Sequence, residues 1–167
     1  MIKTFKAGCA LVALPMILVA QPAMAGQATG QMPVSAQVLE NCSVVSSAMN
    51  FGPITDVGAA NVDTTATLTL ACTANASYEI QLDNGANPVA GQRRLANAVK
   101  SEFLNYDIYK DISRSSRWGS TIGADTVAGK ATVLGTASVT AYGRIPSGVA
   151  KVSAGAYTDT VTVTVNF

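Results

Sequence analysis

Residues 157–167 alternate with a period of two: Tyr157, Val161, Val163, Val165 and Phe167 share one side, and Thr158, Thr160, Thr162, Thr164 and Asn166 share the other. Only an extended strand sends successive side chains to opposite faces, so this segment must rest one face on an apolar core and turn the other to water. Its many β-branched residues favour the same conformation. No residue follows Phe167 in the sequence, so no later strand is expected to cover the apolar edge.

The same period recurs upstream. In residues 28–38 the even positions are Ala28, Gly30, Met32, Val34, Ala36 and Val38, and the odd ones are Thr29, Gln31, Pro33, Ser35 and Gln37. Pro33 has no N–H to donate, so this segment predicts an edge or added strand and not a central one. Residues 64–73, 77–82, 103–109 and 133–142 read as further strands. The gaps carry turn residues, among them Gly52-Pro53, Asp83-Asn84-Gly85, Gly123 and Pro146-Ser147-Gly148. No segment shows a convincing helical period, and no linker or second domain is evident. Many short strands with regular turns predict an all-β, immunoglobulin-like sandwich.

The amino terminus predicts export. Lys3 and Lys6 precede an apolar run over residues 10–20, and Ala23-Met24-Ala25 forms a small-residue cleavage site, so residues 1–25 read as a signal peptide with Gly26 as the mature start. The apolar run is too short for a membrane span of roughly 20 residues, and no later stretch supplies one. Cys9 should leave with the signal. Eleven Lys and Arg less Lys3 and Lys6 leave nine, against ten Asp and Glu. A chain this close to neutral lacks the concentrated basic face that nucleic acid requires. Two cysteines remain, Cys42 and Cys72. An even count in an exported chain reads as a disulfide, with two buried free thiols as the alternative and zinc less favoured still.

The inventory of reactive groups argues against an enzyme. The chain has no histidine, which removes a Ser-His-Asp triad and a histidine base or metal ligand. The carboxylates, Glu40, Glu79 and Glu102 among them, show no spacing that singles out a pair and read as solvated loop charges. The glycines form no phosphate-binding loop, and no cofactor is expected. Trp118 beside Arg117 could stack on a sugar, although a packing role fits a lone tryptophan better. Arg93-Arg94 reads as an exposed loop pair. Asn41-Cys42-Ser43 and Asn75-Ala76-Ser77 match a glycosylation sequon that carries meaning only in a eukaryotic host.

Several segments carry a family resemblance. Residues 106–111, Tyr-Asp-Ile-Tyr-Lys-Asp, followed by Arg114 and Arg117-Trp118-Gly119, resemble the middle motif of spore coat protein U domains. Residues 142–146 and 155–167 resemble that family's C-terminal signature, and Asn50-Phe51-Gly52 is similar to another recurrent piece. Thr29-Gly30-Gln31 and the alternation up to Cys42 resemble the subunits of Csu-type pili, the archaic chaperone–usher class. The resemblance covers nearly all of the mature chain. It implies an incomplete immunoglobulin-like β-sandwich of pilin type that lacks its final strand and is completed by donor-strand exchange. A periplasmic chaperone lends a strand during folding, and at the outer-membrane usher the extension of the next pilus subunit replaces it. On this resemblance residues 26–36 are the donor extension, with Gly30, Met32 and Val34 entering pockets, and residues 37–167 are the pilin domain. Val161, Val163, Val165 and Phe167 would form the strand that contacts the chaperone. The expected product is a secreted structural subunit that passes through the periplasm to a surface fimbrium serving adhesion and biofilm formation. A spore-coat component that forms no fibre, and a single-domain adhesin anchored by Trp118, are the alternatives.

Overall fold

The computed structural model describes residues 25–167; the expected signal, with Cys9, lies almost wholly outside them. Residues 37–167 form a compact unit of their own, the second of two into which the chain divides. In the second unit eight strands succeed one another without a helix: β1 Cys42–Ser46, β2 Val62–Cys72, β3 Ser77–Leu82, β4 Arg93–Asn97, β5 Glu102–Tyr109, β6 Val127–Lys130, β7 Thr136–Ile145 and β8 Val163–Asn166. Five strands in the order β1-β2-β7-β5-β4 make one sheet, and β6-β3-β8 make the other. Every pairing between strands is antiparallel. The fold is an all-β, immunoglobulin-like sandwich.

Alternation decides the core. In β2, Ala66, Leu68 and Leu70 are buried while Thr65, Thr67, Thr69 and Ala71 face water. Facing them across the interior are Ile80 and Leu82 of β3, with Leu104, Tyr106 and Ile108 of β5 and Ala141 and Ile145 of β7 completing the packing. Cys42 and Cys72 lie opposite each other in the β1–β2 register and are joined by a disulfide. Clamping the first edge strand across a sequence separation of 30 stabilises the fold by about 3–4 kcal/mol in the chain-entropy picture.

Several boundaries differ from the sequence reading. Residues 133–135 belong to a turn, with Val133 and Leu134 exposed and Gly135 at φ 75°, so β7 starts only at Thr136. Residues 28–38, expected as a strand, form no ladder and are exposed throughout; without an edge to pair with, alternation alone holds no strand. The C-terminal run is split. Thr158 bridges Ala96 at the β4 edge, whereas Val163–Asn166 pairs with β3 in the other sheet, so the chain crosses between sheets over residues 159–162.

Arg93 is neither exposed nor in a loop. It is fully buried on β4, donating to the carbonyls of Leu82, Asp83 and Trp118 and to Asp107 Oδ1 at 2.7 Å. Arg117 Nε holds the other Asp107 oxygen at 2.7 Å. The carboxylates are likewise not simply loop charges: Asp107 is buried within β5, and Asp63 in β2 accepts both Nε and Nη2 of Arg144. Trp118 is wholly buried, its indole N–H donating to Ile80 O at 2.9 Å. That placement removes it as a sugar platform and with it the anchor of the adhesin alternative.

Candidate functional site

The two sheets do not close on each other along one side. β1 is an edge of the larger sheet and β8 an edge of the smaller. The two touch and then diverge, opening a trough between residues 46–57 and residues 151–163. Its narrower part, about 350 Å³, has Leu68, Leu82, Ile108 and Ala141 in its floor and Val161 and Val163 in its wall. The wider part, about 620 Å³, runs on past Ile54, Val57, Leu104, Ile145 and Val152. Met49, Phe51 and Leu95 line both parts, so the two are one continuous channel.

Register explains why the trough has sticky walls. Asp83 N–H donates to Thr162 O at 3.1 Å, which makes Thr162, Thr164 and Asn166 the residues hydrogen-bonded to β3 in this ladder. The main-chain groups of Val161, Val163 and Val165 therefore point away from β3, toward the open edge. On the other wall Thr73 N–H donates to Asn41 O at 2.8 Å and Ser47 N–H to Thr67 O at 2.9 Å. The odd positions of β1 thus bond to β2, and the N–H and C=O groups of Cys42, Val44 and Ser46 face outward. None of these edge groups has a backbone partner among the described residues. The same valines turn their side chains half-buried toward the core. Each wall thus offers apolar pockets and a row of free main-chain donors and acceptors.

The polar rim is held by two carboxylates. Asp159 accepts the Tyr106 hydroxyl at 2.8 Å and the Ala86 N–H at 2.8 Å. Burial, reinforced by this bond to a carboxylate, pushes the Tyr106 hydroxyl well above the usual phenol range. Farther along, Glu102 accepts the Tyr157 hydroxyl at 2.7 Å together with the Ser153 amide and hydroxyl at 2.8 and 2.7 Å. These bonds, the tyrosine's foremost, hold Glu102 below the usual carboxylate range.

The structure brings Val161, Val163 and Val165 to one wall; Phe167 follows β8 and is half-exposed. Gly30, Met32 and Val34 lie in the exposed segment ahead of the compact unit. Sequence reading missed the opposite wall, Met49 through Val57, for which Asn50-Phe51-Gly52 was the available signal, and it missed Leu95 on β4. Among the described residues no group of three or more His, Cys, Asp or Glu is placed to hold a metal ion, and no helix is long and apolar enough to cross a membrane.

Known proteins share this architecture. The family model of the Spore Coat Protein U domain matches residues 28–164. Protein U of Myxococcus xanthus is 34% identical, with 95% of each chain covered. Among solved structures, the CsuC–CsuE chaperone–tip adhesion subunit pre-assembly complex from archaic chaperone–usher Csu pili of Acinetobacter baumannii superposes with a TM-score of 0.59 at 25% identity. That match takes in 78% of this chain but only 40% of the solved one. A family model matching residues 28–164, and a relative covered almost end to end, agree: the chain belongs to the Spore Coat Protein U domain family.

Proposed function

We propose that this chain is the structural subunit of a surface pilus built by the chaperone–usher route, and that residues 26–36 of one copy fill the trough of the next. The observation that carries this reading is the trough itself, an apolar channel that opens where the unpaired edges of β1 and β8 diverge. An added strand there would gain main-chain hydrogen bonds on both sides and register from alternate side chains in pockets. The extension supplies the complement. Gly30, Met32 and Val34 share one side of an alternating segment, and Met32 and Val34 are exposed. Residues 26–36 extend to about 36 Å.

The partners follow from the same geometry. A periplasmic chaperone would cover Val161, Val163, Val165 and Phe167 until the outer-membrane usher exchanges its strand for the extension of a neighbouring subunit. The chaperone–subunit complex of the structural neighbour supports that order of events. Each copy then donates at one place and accepts at another, a head-to-tail contact that propagates into a fibre. Adhesion and biofilm formation are the roles such a fibre would serve after secretion through the periplasm to the cell surface. A second reading, a coat component without fibres, is favoured by the family's description and by the Myxococcus xanthus relative.

Met32→Lys in the full chain, co-expressed with chaperone and usher, tests the proposal. Burying an unpaired charge in the trough costs several kcal/mol, so the variant should accumulate folded on its chaperone and yield no polymer. A variant that fails to fold on the chaperone would make residues 26–36 an internal strand. Wild-type protein that coats cells without fibres in electron micrographs would favour the coat reading.

A further inference from the structure

We infer that the pole of the sandwich around Leu39, Val133 and Leu134 is a second contact between successive copies of this chain, beside the exchanged strand; the inference rests on the reading proposed above. Leu39 is 71% exposed, Val133 74% and Leu134 85%. Leu39 precedes β1 and Val133 and Leu134 form the turn before β7; exposed apolar residues that gather into a patch mark a contact site. Three hydrogen bonds place them at one end of the fold. Thr73 Oγ1 donates to Leu39 O at 3.2 Å, Asn75 N–H to Thr132 O at 3.1 Å and Cys72 N–H to Gly135 O. The Cys42–Cys72 disulfide ties the start of β1, three residues after Leu39, to the end of β2. The border of the pole is polar, with Glu40, Asn41 and Thr73.

Chain connectivity names the occupant. Residues 26–36 are the extension, and Leu39 lies three residues beyond Ala36. Three residues span at most about 11 Å. Whatever receives the extension is therefore held within about 11 Å of Leu39. A second copy is thus the surface that arrives there each time a strand is exchanged. The turn needs no apolar tip for its own folding. Gly135 supplies the left-handed residue, and Thr132 accepts the Gly135 amide at 2.9 Å and the Leu134 amide at 3.3 Å.

A photo-crosslinking residue in place of Leu134, in the full chain assembled with chaperone and usher, reads this contact. The expected product is a crosslink to a second copy, present in polymers and absent from the Met32→Lys chain. Leu134→Glu polymers should still form but should show a broader spread of angles between successive subunits in micrographs. Polymers without the crosslink, or Leu134→Glu polymers with unchanged angles, overturn the second contact and leave strand exchange standing. A crosslink between copies that persists in Met32→Lys also overturns it, because the patch would then join copies independently of the extension. Wild-type chains that form no polymer refute the strand-exchange reading and this contact with it.

Discussion

The β4 side of the sandwich and the β1–β8 side meet the same requirement, an edge strand that must not be left bare, in opposite ways. At β4 the edge is capped: Thr158 and Ala96 exchange main-chain hydrogen bonds, the Arg94 guanidinium lies 4.0 Å over Phe103, and Asn97 Oδ1 accepts the Val99 and Lys100 amides. Beneath them Arg93 is saturated by three carbonyls and Asp107. Along β1 and β8 the main-chain groups and the apolar pockets stay open. Among the described residues no buried side-chain nitrogen or oxygen lacks a partner.

The contrast can be broken or sharpened by experiment. The largest effect is expected at the closed side. Asp107→Ala leaves the Arg93 guanidinium buried without its countercharge and should cost about 3–5 kcal/mol, read as a lowered urea midpoint of the chaperone-bound chain. A loss below about 1 kcal/mol would mean that the carbonyl cradle alone suffices and that the closed side is not held by charge. Cys42→Ser should follow, at about 3 kcal/mol, with less protein accumulating in the periplasm.

The open side should respond in assembly more than in stability. Val161→Ala trims a half-buried wall residue and should cost the domain about 1 kcal/mol, while slowing strand exchange in a polymerisation assay. Equal loss of fold and assembly would show that the wall belongs to the domain's own core. The smallest effect is acid loosening of the rim. Because Glu102 is held below the usual carboxylate range by the Tyr157 hydroxyl and Ser153, its contribution is complete above about pH 4.5. It is lost as pH falls through the lower, folded-state value. The protection of the Ser153 amide, its exchange rate relative to the intrinsic rate at the same pH, should fall below about pH 4 with little change in global stability; unchanged protection would show that the rim does not depend on the ionised carboxylate.

Strands with clean alternation were legible in the sequence. Residues 77–82 coincide with β3, and the inward and outward faces expected for residues 161–166 match the structure. β1, β4 and β6 were not, for a common reason. They are four or five residues long, too short for periodicity to stand out. β4 moreover reads Arg-Arg-Leu-Ala-Asn, a polar string that turns inward only because Asp107 and the carbonyls of Leu82, Asp83 and Trp118 receive Arg93. Val133 and Leu134 failed in the other direction, since apolar, β-prone residues sit at a turn tip that Gly135 dictates.

By itself the sequence determined an all-β chain, Cys42 and Cys72 as the cysteines to pair, and which face of each long strand is apolar, because a period of two is a local property of the backbone. Tertiary structure alone decided that β1 and β8 become edges facing one trough, with Met49 to Val57 as its second wall. Which main-chain groups stay unpaired depends on which strand lies beside which. Likewise, only the packing of β3, β4, β5 and the Trp118 loop turns Arg93 from a solvated charge into the best-satisfied group in the core, because its four partners lie 10 to 25 residues away along the chain.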